Sequence, residues 1–204
     1  MNKNLEANSC PQCGAPLKLS AHKCEYCGSE FMVTSLSYLD QFDRKGINKY
    51  LKYYKQLLES DAENGQVNCA IGICYLDLGL YGLAAKFFAK TIEQLPDYGD
   101  AYYYYALSLI GGRKPKVMTL TEIRKIEEYL NAAIQIDCSK SKYYYLWALV
   151  KYDFYMKNCL RMNSPTFEEL IQEGSSRAYD RQEIKKIFER VPVKDEEITR
   201  ILWR

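Results

Sequence analysis

Histidine is almost absent from this chain of 204 residues, with His22 the single one. No Ser–His or Cys–His pair can therefore form in the rest of the chain, which removes the commonest nucleophilic hydrolases from consideration. Long apolar runs are lacking too. The longest, Ala101 to Ile110, falls short of the roughly 20 residues needed to cross a bilayer and reads as a packed helix. The N-terminal stretch MNKNLEANSC has no apolar core of the kind a secretory leader carries. No charge of one sign dominates: 28 Lys and Arg against 26 Asp and Glu leave +2, so the whole chain does not call for nucleic acid or an anionic membrane. A glycine-rich phosphate loop and a cluster of acids are also missing, and Glu127-Glu128 and Glu168-Glu169 read as solvated helix faces. The expectation is a protein that is not an enzyme.

Cysteine, by contrast, is plentiful, and its arrangement is informative. Four of the 8 form two Cys-x-x-Cys-Gly knuckles in residues 10–28, CPQCGAPLKLSAHKCEYCG, and four are scattered through apolar helical positions. Scattered thiols of this kind suit a reducing compartment and a cytoplasmic protein rather than a disulfide scaffold. Each knuckle aims two thiolates at one point, because Gly14 and Gly28 permit the backbone turn. Cys10, Cys13, Cys24 and Cys27 then make a closed tetrahedral set, the pattern of one structural Zn2+. The segment resembles a short zinc ribbon. Ala15 to Leu19 is expected to make a hairpin, Ser29 to Val33 to add a strand, and His22 to be an exposed hairpin residue. So small a module has little core, and metal binding would supply on the order of 10 kcal/mol of its folding energy. Within residues 1–34, Lys3, Lys18 and Lys23 are balanced by Glu6, Glu25 and Glu30, with Tyr26 and Phe31 the only aromatic residues. Neither a basic patch nor a stacking platform is evident, so nucleic acid is not the expected partner; a nucleic-acid-associated zinc-ribbon protein is the alternative function.

The stretch from Gly65 to Tyr98 organises the remainder. Its apolar residues fall at helical spacing in two blocks, around Ile71, Gly72 and Tyr75 and around Ala84, Phe88 and Thr91, with Gly79 and Gly82 between them and Pro96 after. The order resembles the tetratricopeptide (TPR) repeat, a helix–turn–helix of about 34 residues. Asn68 stands where the family prefers Trp, and Thr91 where it prefers Ala. Copies flank this repeat. Tyr50, Tyr54 and Ala62 lie one repeat before Ala84, Phe88 and Pro96, and Ala106 lies one repeat after Gly72. Ile126, Leu130, Ala133 and Cys138 continue the frame past an insertion of loop composition, Gly111 to Met118, and Trp147 and Ala148 resume it. The expected fold is all-α, a TPR-like helical-hairpin solenoid with a small N-terminal zinc ribbon. The expected divisions are a ribbon over 1–34, repeats over 35–160 and capping helices over 161–204.

The resemblance implies a concave surface lined by the first helix of each repeat, where the family binds peptides or partner helices. Carried over residue by residue, that surface presents Asp77 with Gln66, Cys69, Ala70 and Ile73. It continues with Asp100, Tyr103, Tyr104 and Leu107, then with Lys142, Tyr145, Leu146, Leu149 and Tyr152. Tyrosine offers large contact area with a polar tip, which suits recognition of another protein. Of the positions matching the family's carboxylate clamp, only Lys142 is a cation, so a chaperone-tail partner is not expected. The function implied is a non-catalytic intracellular adaptor, with no membrane and no small-molecule substrate.

Several further expectations concern the ends of elements. Leu36, Leu39 and Phe42 form a short first helix. Gly46 precedes the helix carrying Tyr50 and Tyr54, and Thr121 caps the helix after the insertion. Ser164-Pro165 opens a helix that Gly174 ends. Asp180 with Glu183 reads as a capping box for Arg181 to Arg190, and Asp195 starts a last helix ending in Ile201-Leu202-Trp203. These helices cap the solenoid, with Ile201-Leu202-Trp203 as an alternative docking motif. Cys69, Cys74, Cys138 and Cys159 read as buried small apolar residues. Residues 110–163 hold ten basic and five acidic side chains, the one charge asymmetry of note.

Overall fold

The computed structural model describes residues 9–16 and 22–202; the hairpin expected through Leu17 to Leu19, and Trp203 of the terminal motif, lie outside them. Two compact units result, one ending at Leu95 and one beginning at Pro96. No strand occurs among the described residues, only isolated bridges such as Ser9 with Pro16 and Lys23 with Glu30. None of the described helices is long and apolar enough to cross a membrane.

The first unit holds a 3-10 turn at Ser37–Gln41 and then α1 (Arg44–Ser60), α2 (Gly65–Asp77) and α3 (Tyr81–Gln94). Asp43, whose side chain accepts from the Gly46 amide at 2.8 Å, caps α1, so Gly46 lies inside the helix rather than before it. Gly79, with φ of 74°, reverses the chain after α2, and the Leu80 amide closes back on Tyr75 O at 2.9 Å. The α2–α3 hairpin packs as the repeat frame requires. A Cβ on Gly72 would lie 2.7 Å from Phe88 Cε1, so the bare glycine is what lets the Phe88 ring seat against α2. Where the family prefers Trp, Asn68 instead clasps Gln94, its Nδ2 donating to Oε1 at 2.8 Å.

The expected strand from Ser29 to Val33 is cut to one antiparallel bridge, with the Phe31 amide on His22 O at 3.0 Å and the Cys24 amide on Ser29 O at 2.8 Å, and hydroxyl groups serve the rest. Tyr50 OH donates to Glu30 O at 2.7 Å and Tyr54 OH to Phe31 O at 3.1 Å. The Val33 amide donates to Tyr54 OH at 2.8 Å and the Glu30 amide to Tyr38 OH at 2.6 Å. Backbone groups satisfied in this way need no ladder. Tyr50 and Tyr54 are fully buried, so the cysteine-bearing segment is bolted to α1 by the hydroxyls of its core.

The second unit holds α4 (Gly99–Ile110), a 3-10 turn at Pro115–Val117, α5 (Leu120–Ile136) and α6 (Ser141–Lys151). A π-turn at Tyr152–Met156 extends α6, and α7 (Phe167–Ser175), α8 (Arg181–Arg190) and α9 (Glu196–Leu202) follow. Gly111 and Gly112 both take positive φ at the start of the insertion. Thr119, not Thr121, caps α5, in a reciprocal capping box with Glu122. α4 packs on α5, α5 on α6, and both α7 and α8 on α6, every residue of which is buried. Gly174 lies within α7 rather than ending it. A Cβ there would meet Tyr145 Cε1 at 2.7 Å and Tyr144 Cβ at 2.9 Å, so the glycine sets how closely α7 crosses α6.

Candidate functional site

Two places carry chemistry. The first is the pair of cysteine knuckles. In each, the glycine amide closes on the first cysteine's carbonyl, Gly14 on Cys10 and Gly28 on Cys24, at 2.9 Å in both. Gly14 and Gly28 have φ of 77° and 73°, while a Cβ at either would touch nothing within 4 Å. Glycine is thus required for the turn's handedness, not for space. The knuckles bring all four sulfurs within 4.8 Å of one another, with Cys10 to Cys27 at 3.6 Å and Cys13 to Cys24 at 3.7 Å. A tetrahedral ion bound to four sulfurs at about 2.3 Å requires sulfur–sulfur edges of about 3.8 Å, so the set fits a metal ion. Backbone amides already serve the sulfurs: those of Cys13 and Gln12 reach Cys10, and that of Ser29 reaches Cys27. Burial pushes the Cys10 thiol up to about 12, while hydrogen bonding with the Ser29 hydroxyl and amide pulls Cys27 down to about 6. A bound cation is what would hold four such groups ionised together. His22 is exposed and is not part of the cluster.

The second place is the predicted concave surface, and here the structure corrects the expectation of an open groove. Tyr103, Tyr104, Leu107, Tyr145 and Leu149 are at most 1% exposed, and Tyr152, Asp100 and Lys142 at most 8%. Of the partner-binding set only Asp77 is partly accessible. The chain's own C-terminal helices fill the space. Phe167 of α7 meets the Tyr152 ring at 5.5 Å, Tyr179 meets Tyr145 at 6.1 Å, and Asp195 accepts from Tyr152 OH at 2.8 Å. At the centre lies Lys142. Its Nζ is 2.9 Å from Asp100 Oδ1 and 3.1 Å from Glu183 Oε2 of α8, with the rings of Tyr103, Tyr104 and Tyr143 5.0, 5.1 and 5.9 Å away. Tyr104 OH donates to the same Glu183 oxygen at 3.3 Å, while Tyr143 OH and Lys140 Nζ hold Asp100 at 2.6 and 2.9 Å. Glu183, read from sequence as half of a capping box, is thus the carboxylate that ties α8 into the cage. Burial opposes the charges of both Lys142 and Asp100, yet their mutual attraction wins, raising the lysine pKa and lowering the aspartate's.

Two sequence expectations fail more simply. Cys138 and Cys159 are exposed, unlike the buried Cys69 and Cys74, because both sit just past the end of a helix rather than on its packed face. Glu127 is not a solvated acid: it accepts from Trp147 Nε1 at 3.1 Å and Tyr155 OH at 3.0 Å, and pairs with Lys151 at 3.0 Å. The four-residue steps Trp147, Lys151, Tyr155 were the available signal.

No family model and no curated protein matches the chain. Among solved structures it is similar to "Crystal structure of MamA", with a TM-score of 0.54 at 17% identity, covering 84% of this chain and 92% of that one. Weaker likenesses are "MamA RS-1 ArsTM double mutant", TM-score 0.45 at 18% identity over 73% of this chain and 68% of that, and "MamA MSR-1 C2", TM-score 0.44 at 14% over 74% and 80%. The first of these supports the fold alone, which is all-α and TPR-like, built of helical hairpins.

Proposed function

We propose that this chain is a non-catalytic, cytoplasmic adaptor that binds a partner protein, its N-terminal module stapled by one structural zinc ion. The zinc reading is supported by four sulfurs within 4.8 Å of one another on two amide-lined knuckles, a closed set with sulfur donors throughout. Free thiols poised for a metal suit a reducing compartment.

The adaptor reading is carried by one observation: the surface built by α4 and α6 already holds a helix, gripping Glu183 of α8 through Lys142 and Tyr104. An amphipathic partner helix offering a carboxylate there would meet Tyr103, Tyr104, Leu107, Lys142, Tyr145, Leu149 and Tyr152, with Asp100 behind Lys142. It would compete with the chain's own C-terminal helices.

Affinity capture from native lysate, with full-length wild type and a Glu183→Lys variant of confirmed helicity, tests this. The variant sets two cations against each other and loosens α8. The expected result is one protein retained by wild type and retained more strongly by the variant. Retention of nothing above bare resin by either chain overturns the adaptor reading.

A further inference from the structure

Trp147, Lys151 and Tyr155 share one face of the α6 extension, and beside them the second unit carries a cavity of about 430 Å³ whose rim holds Arg124, Leu160 and Arg161. Its floor is rigid. The Lys151 side chain is 4% exposed, with Nζ held by Glu127 and, at 3.0 Å, by the Asn163 carbonyl. These take two of the three ammonium donors. Glu127 also pins the edges of both aromatic rings, whose centroids lie 5.7 and 5.2 Å from Lys151 Nζ.

The rim differs from the floor in having charges with no counterpart. Arg124 and Arg161 are exposed, and neither forms an ion pair among the described residues. Some exposed cations of this unit do find carboxylates, as Arg113 pairs with Glu122 and Lys157 with Asp195, so the two arginines remain open to an outside anion. Three cations against Glu127 leave the cavity at +2. Its lips are apolar, with Leu120 at 43% and Leu160 at 48% exposure. A single carboxylate with an apolar side chain next to it complements this arrangement in charge and in surface. A nucleic-acid strand does not, since base stacking needs an open aromatic face and Trp147 is 6% exposed.

We propose that this cavity is a docking site for an acidic–apolar peptide segment of a partner protein. Its carboxylate sits between Arg124 and Arg161, and a leucine-like side chain rests on Leu120 and Leu160. The inference rests on the adaptor reading and places a contact site outside the filled concave surface of the same unit.

The test is selection from a randomised heptapeptide library on the full-length, metal-loaded chain, followed by titration of a retained peptide. The indole N–H signal of Trp147, assigned with a Trp203→Phe variant, reports on the cavity. The expected peptides place Asp or Glu beside Leu, Ile or Phe, and they shift the Trp147 indole signal. Each of Arg124→Glu and Arg161→Glu weakens them roughly tenfold or more, while Lys52→Glu, in the first unit, leaves them unchanged. Both arginines are exposed, so their reversal leaves folding intact. Peptides that are basic or neutral, or that ignore both reversals, overturn the inference while leaving the adaptor reading standing. So does an indole signal moved only by inorganic phosphate or an oligouridylate. A library that yields nothing, alongside a lysate capture that does, removes the cavity alone; failure of both removes both.

Discussion

Replacing Lys142 by methionine isolates the cage at the centre of the second unit. Methionine keeps much of the stem's volume, so the change deletes a charge and leaves little void. What remains is Asp100 and Glu183, with side chains 10% and 6% exposed, stripped of a shared cation that stood 2.9 and 3.1 Å away. Removing one partner of a buried ion pair costs about 3–5 kcal/mol. Asp100 retains Lys140 and Tyr143, which places the expected loss near the lower end, about 3 kcal/mol. Glu183→Leu should cost less, about 1–3 kcal/mol, because Lys142 still pairs with Asp100. Lys142→Met combined with Glu183→Leu puts apolar groups on both sides and should fall within about 1 kcal/mol of the milder single variant. The couplings read from urea unfolding by far-UV circular dichroism should therefore be about 2 kcal/mol or more. Hydrogen exchange should show the Arg181–Arg190 amides losing protection in both single variants. Simple additivity, or a Lys142→Met loss under about 1 kcal/mol, would refute the claim that this lysine fastens α8.

Tyr103 OH is fully buried with no hydrogen-bond partner among the described residues, so Tyr103→Phe should stabilise the chain by about 1 kcal/mol in thermal or urea unfolding; a loss of similar size would mean that the hydroxyl is satisfied. Gly72→Ala gains about 1 kcal/mol of helix propensity but drives Cβ into the buried Phe88 ring, for a net loss of about 1–2 kcal/mol. Gly82→Ala, where a Cβ meets nothing within 4 Å, should be neutral or stabilising under the same assay. The folded-state pKa of Asp100 is lowered, so its contribution is full above its unfolded value of about 3.9 and is lost as pH falls through the folded one. That of Lys142 is raised, so its contribution is full below about 10.4 and is lost as pH climbs through the folded value. Unfolding profiles of wild type and Lys142→Met should therefore converge at both extremes of pH.

Much of the fold was legible because it depends on spacing. The knuckles declare themselves through two Cys-x-x-Cys-Gly runs, and the hairpins through a repeat frame that survives the insertion at Gly111 to Met118. The open groove was not legible, because whether Tyr103 and Tyr145 face solvent depends on where α7 and α8 come to rest. Gly174, which lets α7 approach Tyr145, read from sequence only as a helix terminator. Helical pattern alone cannot tell a tyrosine that recognises a partner from one that packs on its own chain. Glu183, read as half of a capping box, and Glu127, read as a solvated acid, were misread for a related reason: neither shows its role until a buried lysine from α6 requires a carboxylate. The strand at Ser29 to Val33 stops at one bridge because the hydroxyls of Tyr38, Tyr50 and Tyr54 serve its other backbone groups, a long-range substitution invisible to local alternation.

The most direct test of the account is zinc K-edge X-ray absorption on the protein as purified, with metal content measured on the same sample. A non-catalytic adaptor with a structural staple predicts one zinc per chain surrounded by four sulfur atoms at about 2.3 Å and no open position. A nitrogen or oxygen ligand would make the site open to substrate and reopen the question of catalysis. A chain without metal, its four N-terminal cysteines joined as disulfides, would contradict the staple itself.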